Sequence, residues 1–218
     1  KCGRYFYSIF KIFKIFTISA DLKIETDLGF VHSNLKMTKI NNIDNASYNG
    51  KIIFNDFDLG TFINDPSFGK VSLDVDVNGN GFVAETLDTH IKGEVFQIEY
   101  NNYNYNNLKV AGNIKNRIFD GNLIVNDDNL KLNFNGFVDF SEKVNKYDFE
   151  ANVYFANLKN LNFVKNDNIS IFQSNVKMNM NASNLDDAYG QVVFKNTSYE
   201  NQIDTYYFKE FAITSRFE

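Results

Sequence analysis

The sequence predicts a nearly all-β protein whose strands form an antiparallel sheet. From residue 71 onward, apolar residues recur at every second position, as in Val71, Leu73 and Val75 and again in Leu130 and Leu132. Successive side chains of a strand point to opposite faces, so this period gives each strand one apolar side and one polar side. Short Asn-, Asp- and Gly-rich segments separate the runs, and no long helical pattern joins them, which favours antiparallel pairing.

About a dozen strands are readable from this alternation. They cover residues 21–28, 31–39, 47–55, 69–78, 89–100, 107–114, 117–125, 129–140, 146–155, 172–183, 190–196 and 205–217. Neighbouring strands lie about 4.8 Å apart, so a sheet of this size would extend on the order of 60 Å. We therefore expect an elongated sheet.

Two short segments interrupt the β pattern. Residues 58–63 and 157–163 each suit about one helical turn, and Asp58 and Asn157 are residue types that cap helix N-termini. We expect one or two very short helical turns beside the sheet.

Asn-Gly and Asp-Gly pairs are strong local turn signals. They occur at residues 49–50, 78–79, 80–81, 120–121 and 135–136. These pairs predict hairpin turns, with a β-bulge as the alternative at residues 135–136.

The first twenty residues differ from the rest of the chain. Between Arg4 and Ser19 the apolar runs are interrupted by Lys11 and Lys14 and are far shorter than the roughly 20 residues that a membrane-spanning helix needs. This segment suits a strand or, as an alternative, an amphipathic helix at a membrane interface. We divide the chain into an N-terminal segment, residues 1–20, and a repetitive β-sheet segment, residues 21–218, of a longer protein.

Composition and motifs argue against several classes of function. The net charge is −5 and no basic cluster stands beside the aromatic residues, so nucleic acid is not an expected partner. His32 and His90 are isolated and the single cysteine is Cys2, which leaves no local pairing of a nucleophile with a base. We expect neither an enzyme nor a cofactor.

One metal-binding pattern is present by spacing alone. Asp74, Asp76, Asn78 and Glu85 fit ligand positions of an EF-hand calcium loop, and Gly79 fits the position of its turn glycine. The same segment alternates like a strand and has no flanking helices. We interpret it as a strand followed by a hairpin and expect no metal site.

The apolar side of the predicted sheet needs a cover, and the sequence supplies no helical layer. The sheet could fold on itself as a sandwich, close as a barrel or curl into an open trough. The apolar residues that would line such a trough are Val71, Leu73, Val75, Leu130, Leu132, Phe134, Phe149, Val153, Phe155, Val176, Met178, Met180, Phe211 and Ile213.

A set of recurring motifs extends over most of the chain. They include residues 45–54 (NASYNGKIIF), 57–65 (FDLGTFIND) and 69–73 (GKVSL), and later residues 103–105, 120–123, 129–132, 156–162, 185–190 and 194–199. Together these motifs, from about residue 21 to residue 217, resemble the repeat region of the TamB (translocation and assembly module) family in the AsmA-like superfamily.

The resemblance implies a curled, U-shaped antiparallel sheet with an open groove, sometimes likened to a taco. It also implies a periplasmic location in a Gram-negative cell, with an inner-membrane anchor outside this segment and a reach toward the outer membrane. Proteins of this family are implicated in moving phospholipids between the two membranes and in assembling outer-membrane proteins with a β-barrel partner. The groove residues named above would then contact phospholipid acyl chains.

Two alternatives share the same alternation. A transmembrane β-barrel would turn its apolar side outward to lipid. A β scaffold that binds no lipid would pack its apolar side internally.

Overall fold

The computed structural model describes residues 17–82, 86–183 and 187–216, which form one twelve-stranded antiparallel sheet with the strands in sequence order. The strands are β1 (Thr17–Thr26), β2 (Gly29–Thr38), β3 (Ser47–Asp58), β4 (Phe68–Asn80), β5 (Asp88–Tyr100), β6 (Tyr103–Lys115), β7 (Ile118–Asn126), β8 (Leu130–Asp139), β9 (Asn145–Asn157), β10 (Ser170–Ala182), β11 (Tyr189–Asn201) and β12 (Thr205–Ser215). The sheet is not closed into a barrel and matches an open, curled sheet, so the predicted fold class is confirmed.

Of the two predicted helical turns, the first is a short helix and the second is a single hydrogen-bonded turn. Helix α1 (Leu59–Ile63) is capped by Asp58, whose carboxylate accepts hydrogen bonds from the Thr61 backbone N–H at 2.9 Å and the Thr61 hydroxyl at 2.7 Å. After β9, the Leu161 N–H donates to the Asn157 carbonyl at 3.0 Å and the Asn160 N–H donates to Asn157 Oδ1 at 3.1 Å, which makes one capped turn. A 3₁₀ turn at Ile43–Asn45, which the sequence analysis did not predict, precedes β3.

Direct pairing places residues of adjacent strands on the same face of the sheet. One row along the sheet runs from Val125 to Leu132 and then to Val153, and it belongs to what we call the apolar face. The opposite side, the polar face, carries cross-strand ion pairs such as Lys177–Glu150, with 2.9 Å between Nζ and Oε1. That hydrogen bond raises the pKa of Lys177 and lowers the pKa of Glu150. The alternation of apolar and polar residues along each strand therefore gives the sheet two chemically different faces.

The turn prediction for the Gly pairs is wrong at 49–50, 78–79, 120–121 and 135–136, because these pairs lie inside strands. Gly121 pairs with Gly112 on one side and with Gly136 on the other, without a bulge at either place. A Cβ atom at Gly121 would lie 2.5 Å from the Ala111 carbonyl oxygen and 2.5 Å from Gly112 Cα. Glycine is needed here for the close approach of neighbouring strands.

Asparagine-rich pairs form the tight turns instead. Asn101 and Asn102 have φ values of 51° and 60°, and Asn116 and Arg117 have φ values of 46° and 63°. Two successive residues with positive φ are typical of the hairpin turns whose twist matches that of the strands. Asparagine adopts this conformation more readily than most residues because its side chain hydrogen-bonds locally.

The N-terminal segment can be compared with its prediction only in part. Residues 1–16 lie outside the described residues, and residues 17–20 belong to β1. Among the residues that the structure describes, no helix has the length and apolar character to cross a membrane.

Candidate functional site

The strand pairing assigns a face to each predicted groove residue. All except Phe155 lie on the apolar face: Val71, Leu73 and Val75 in β4, Leu130, Leu132 and Phe134 in β8, Phe149 and Val153 in β9, Val176, Met178 and Met180 in β10, and Phe211 and Ile213 in β12. The pairing continues from each strand to the next without a change of face. These side chains therefore lie on the same side of the sheet.

Phe155 is a correction to the predicted set. Leu132 pairs with Val153, but the next residue of β8, Lys131, pairs with Phe155, so Tyr154 is an extra residue in β9. Such a β-bulge changes which face the following residues occupy. Phe155 therefore lies with Lys131 on the polar face, and simple alternation assigned it to the wrong side.

The structure adds members to the apolar face that the sequence analysis did not single out. They are Leu35, Met37, Tyr48, Ile52, Val77, Ile91, Val95, Leu108, Val110, Phe119, Leu123, Val125, Val192 and Phe194. All lie in predicted strands. Continuing the alternation through interior glycines, rather than stopping at them, would have identified most of these residues.

The apolar face is sealed near the N-terminal end of the sheet. Leu35, Met37, Tyr48, Val75 and Val77 are each less than 10% exposed and form one cluster, which we call the sealed face. Three residues of the connecting loops cover it, namely Ile40, Phe82 and Leu87. The Phe82 ring lies 4.6 Å from the Tyr48 ring, centroid to centroid. This part of the sheet has an ordinary hydrophobic core.

A short loop covers the middle of the apolar face from one side. We call residues 158–163 the strap; its Leu161 is 1% exposed and packs in a cluster with Tyr105, Leu108 and Val125. The Asn162 side-chain amide donates to the backbone carbonyls of Asn101 at 3.3 Å and Asn102 at 3.1 Å. These bonds join the strap to the β5–β6 turn. The strap therefore covers the apolar face of β6–β9 at the strand ends next to this turn.

A buried carboxylate fixes the neighbouring turn. Asp127 is 2% exposed and accepts hydrogen bonds from the Tyr103 hydroxyl at 2.5 Å, the Asn106 N–H at 2.9 Å and the Asn129 N–H at 2.8 Å. Burial alone would raise the pKa of Asp127, but these bonds outweigh it and lower that pKa. Burial also raises the pKa of nearby Tyr105 to about 12. The network joins the start of β6 to the β7–β8 turn beneath the strap.

The apolar face is only partly covered toward the C-terminal end. Phe134, Phe149, Val176, Met178, Met180, Phe194 and Phe211 are all half-buried, and Ile213 is 55% exposed. We call this set the open face. Rings pair along it, with centroids 5.0 Å apart for Phe134 and Phe149 and 4.7 Å apart for the stacked Phe194 and Phe211. No second sheet or helical layer lies over it among the described residues.

The polar face offers a weaker candidate site. His32 Nε2 lies 2.7 Å from Asp21 Oδ1, and beside this pair is a concavity of about 360 Å³ lined partly by Asn34, Lys51 and Asp76. Its charges are balanced and it opens widely to solvent. No group of three metal-ligating side chains occurs within the part of the chain that the structure describes.

The calcium-like spacing lies in an extended strand. Asp74 is in β4, and its carboxylate forms an ion pair with the Lys51 ammonium group of β3. Glu85 lies outside the described residues. The described ligand positions therefore follow a flat strand and do not curve around a common centre.

Comparison with known proteins found no relative: no protein-family model, no curated protein and no solved structure matches this chain. The fold and the candidate site together define a single open β-sheet protein with an apolar face that is sealed at one end and partly exposed at the other.

Proposed function

We propose that this chain is a segment of a bridge-like protein that shields phospholipid acyl chains on its apolar face and conducts the lipids between inner and outer membranes. The observation that carries the proposal is the open face, where half-buried apolar side chains recur on every strand from β8 to β12 with only the smaller Ala151 and Val192 buried between them. Soluble proteins rarely leave large connected apolar patches without a partner, and hydrocarbon is a chemically matched partner for this one.

The energetics favour a continuous track over release into water. An acyl chain of about 15 methylene groups would lose roughly 12 kcal/mol of apolar stabilisation on entering water, at about 0.8 kcal/mol for each methylene. Phe134, Phe149 and Met178 offer such a chain nearly uniform apolar contact. A lipid could therefore slide across the strands without a large barrier, while its charged headgroup stays in solvent at a rim of the sheet.

The resemblance to the TamB family supports a periplasmic location for this function, with an inner-membrane anchor elsewhere in a longer protein. It also supports a second role in outer-membrane protein assembly with a β-barrel partner. Both parts of the proposal concern the cell envelope of a Gram-negative bacterium, where two membranes face an aqueous gap.

Site-specific photo-crosslinking in cells tests the proposal. A benzophenone amino acid placed at Leu132 or Phe149 should form adducts with endogenous phospholipids, because both side chains lie on the apolar face. Phe155 is a matched control: it is an aromatic residue of the same strand as Phe149, but it lies on the polar face. Equal lipid adducts at Phe149 and Phe155, or none at any position, would overturn the proposal.

One specific observation favours a second candidate, a β scaffold that binds no lipid. The sealed face shows that part of the apolar side is packed by the protein itself, through Ile40, Phe82 and Leu87. If the open face is covered in the same way by another protein segment, crosslinks from Phe149 will capture polypeptide instead of lipid.

A further inference from the structure

The last strand of the sheet has a free edge and an exposed apolar surface. Strand β12 pairs with β11 on one side and with no other strand among the described residues. Large side chains that are more than 40% exposed are concentrated in it, at Tyr206, Tyr207, Phe208 and Ile213. An exposed apolar edge strand is a ready template for pairing with another strand.

The first strand, at the other edge of the sheet, has a different surface. In β1, Asp21, Lys23 and Glu25 are exposed, and Leu22 and Ile24 between them are half-buried. Charged side chains on an edge strand oppose the addition of a further strand. Of the two edges, β12 is therefore the one suited to pairing.

The alternation of faces along β12 breaks at its centre. Phe211 pairs with Phe194 on the apolar face, and its ring lies 5.4 Å from the Phe208 ring, centroid to centroid. Residues three apart in a regular strand point to opposite faces, so the alternation is interrupted between Phe208 and Phe211. The β11–β12 pairing passes over Lys209 at this point, where the opposing Asn196 has a φ of 49°. The break divides β12 into two halves of opposite phase.

This break makes β12 symmetric about its own centre. Residues at equal distances from the centre share a face, with Phe208 and Phe211 on the apolar side and Tyr207 and Ala212 on the polar side. In an antiparallel pair of identical strands, residues directly opposite each other must lie on the same face. Only one register meets this condition along the whole strand. It pairs Lys209 with Glu210, Phe208 with Phe211, Tyr207 with Ala212, Tyr206 with Ile213 and Thr205 with Thr214.

The same register brings unlike charges together. Lys209 of each copy would lie opposite Glu210 of the other, so the two-fold symmetry generates this ion pair twice. Glu210 already contacts Lys195 of its own chain, with 3.5 Å between Nζ and Oε2, but both side chains are more than half exposed. A carboxylate has acceptor sites for more than one cation. The charges at the centre of the paired strands are therefore complementary.

We propose that two copies of this chain pair through β12 in this antiparallel register and form one continuous sheet. The two-fold axis is perpendicular to the sheet, so the apolar faces of both copies lie on the same side. The two open faces, which end at β12, then adjoin each other, and the sealed faces lie at the far ends. This inference goes beyond the proposed function, because it concerns assembly and does not depend on which ligand the apolar face binds.

Cysteine crosslinking tests the register. In a Cys2→Ser background, Tyr207→Cys combined with Ala212→Cys should give a covalent dimer on oxidation, because these positions of the two copies lie opposite each other. Within one strand they are about 17 Å apart, too far for an internal disulfide. Tyr207→Cys combined with Ile213→Cys is the matched control and should stay mainly monomeric, since residue 213 lies on the other face. Equal crosslinking of both pairs, or none in either, overturns the proposal.

Charge reversal gives a second readout, measured by sedimentation velocity over a wide range of concentrations. Lys209→Glu and Glu210→Lys should each weaken self-association about tenfold, because each turns two unlike pairs into two like pairs. The two variants mixed together should associate at least as tightly as the wild type, since their charges are again complementary. Lys23→Glu, at an exposed position of the other edge, is the control and should leave self-association unchanged. A wild-type protein that sediments as a 25.1 kDa monomer at every concentration, or variants that do not recover on mixing, overturns the proposal.

Discussion

The sealed face and the open face are built from the same alternating strands yet are covered very differently. In the sealed face, Val75 and Val77 are each 6% exposed under loop residues, whereas in the open face Phe149 is half-buried and Ile213 is 55% exposed. The difference comes from the connecting segments, since the β2–β3 and β4–β5 loops contribute Ile40 and Leu87 to the sealed cluster. The sealed end is packed by the protein's own loop residues, whereas no helix or second sheet of the described residues covers the open end.

The largest expected contrast comes from placing a charge in each region. Val75→Arg puts a charge into a closed cluster and should destabilise the protein by about 4 kcal/mol or more. Phe149→Arg should cost only about 1 to 2 kcal/mol, because the site is partly open and the long side chain can extend its charge to water. Urea denaturation followed by circular dichroism measures both. Similar losses would contradict the division into sealed and open faces.

The strap is the next test, because it is the only cover that crosses strands β6–β9 within the described residues. Leu161→Ala should destabilise the protein by about 3 kcal/mol and increase amide exchange in β6 and β7, since it leaves a cavity against Tyr105 and Val125. Phe163→Ala is the control in the same strap, because Phe163 is 60% exposed and should tolerate truncation. If both variants behave alike, the strap does not cover the face as a packed element.

The buried carboxylate beneath the strap predicts a pH dependence. Asp127→Asn should cost about 2 kcal/mol at pH 7, because the amide cannot accept all the hydrogen bonds that the carboxylate accepts. The folded-state pKa of Asp127 is lowered, so its stabilising contribution is complete above the unfolded value near 3.8 and is lost as pH falls through the folded pKa. Unfolding midpoints between pH 7 and pH 2 should therefore converge for wild type and variant. Asp128→Asn, at an exposed position, should change neither midpoint nor slope.

The smallest effect is expected on the polar face. Glu150→Gln removes the ion pair with Lys177, but both side chains are more than 60% exposed and water screens their attraction. The urea midpoint should not change measurably, and added salt should not change the difference. A clear loss of stability would mean that the polar face contributes to the fold more than its exposure indicates.

Much of the fold could be predicted from the sequence, because strand identity is a local property. All twelve strands were predicted, as were the cap of α1 and the face of most groove residues. Phe155 was assigned to the wrong face because one extra residue at Tyr154 shifts the register, and the alternation on either side does not reveal it. The in-strand glycines were read as turns because their role, a close approach to the next strand, depends on pairing.

The division between sealed and open faces could not be predicted. It depends on contacts between residues far apart in the chain, such as Leu161 with Tyr105 and Asn162 with Asn101. The sequence marks these residues only as apolar or polar members of loops. A loop's position over a sheet follows from tertiary packing, which has no local signature.

Native mass spectrometry of the protein purified without detergent tests the central claim most directly. The account predicts bound phospholipid in the wild-type protein and in Lys177→Gln, which changes only the polar face, and loss of that lipid in a variant with Phe134 and Phe149 both replaced by Arg. A folded wild-type protein that carries no lipid, even after incubation with phospholipid vesicles, would contradict the claim that hydrocarbon covers the open face.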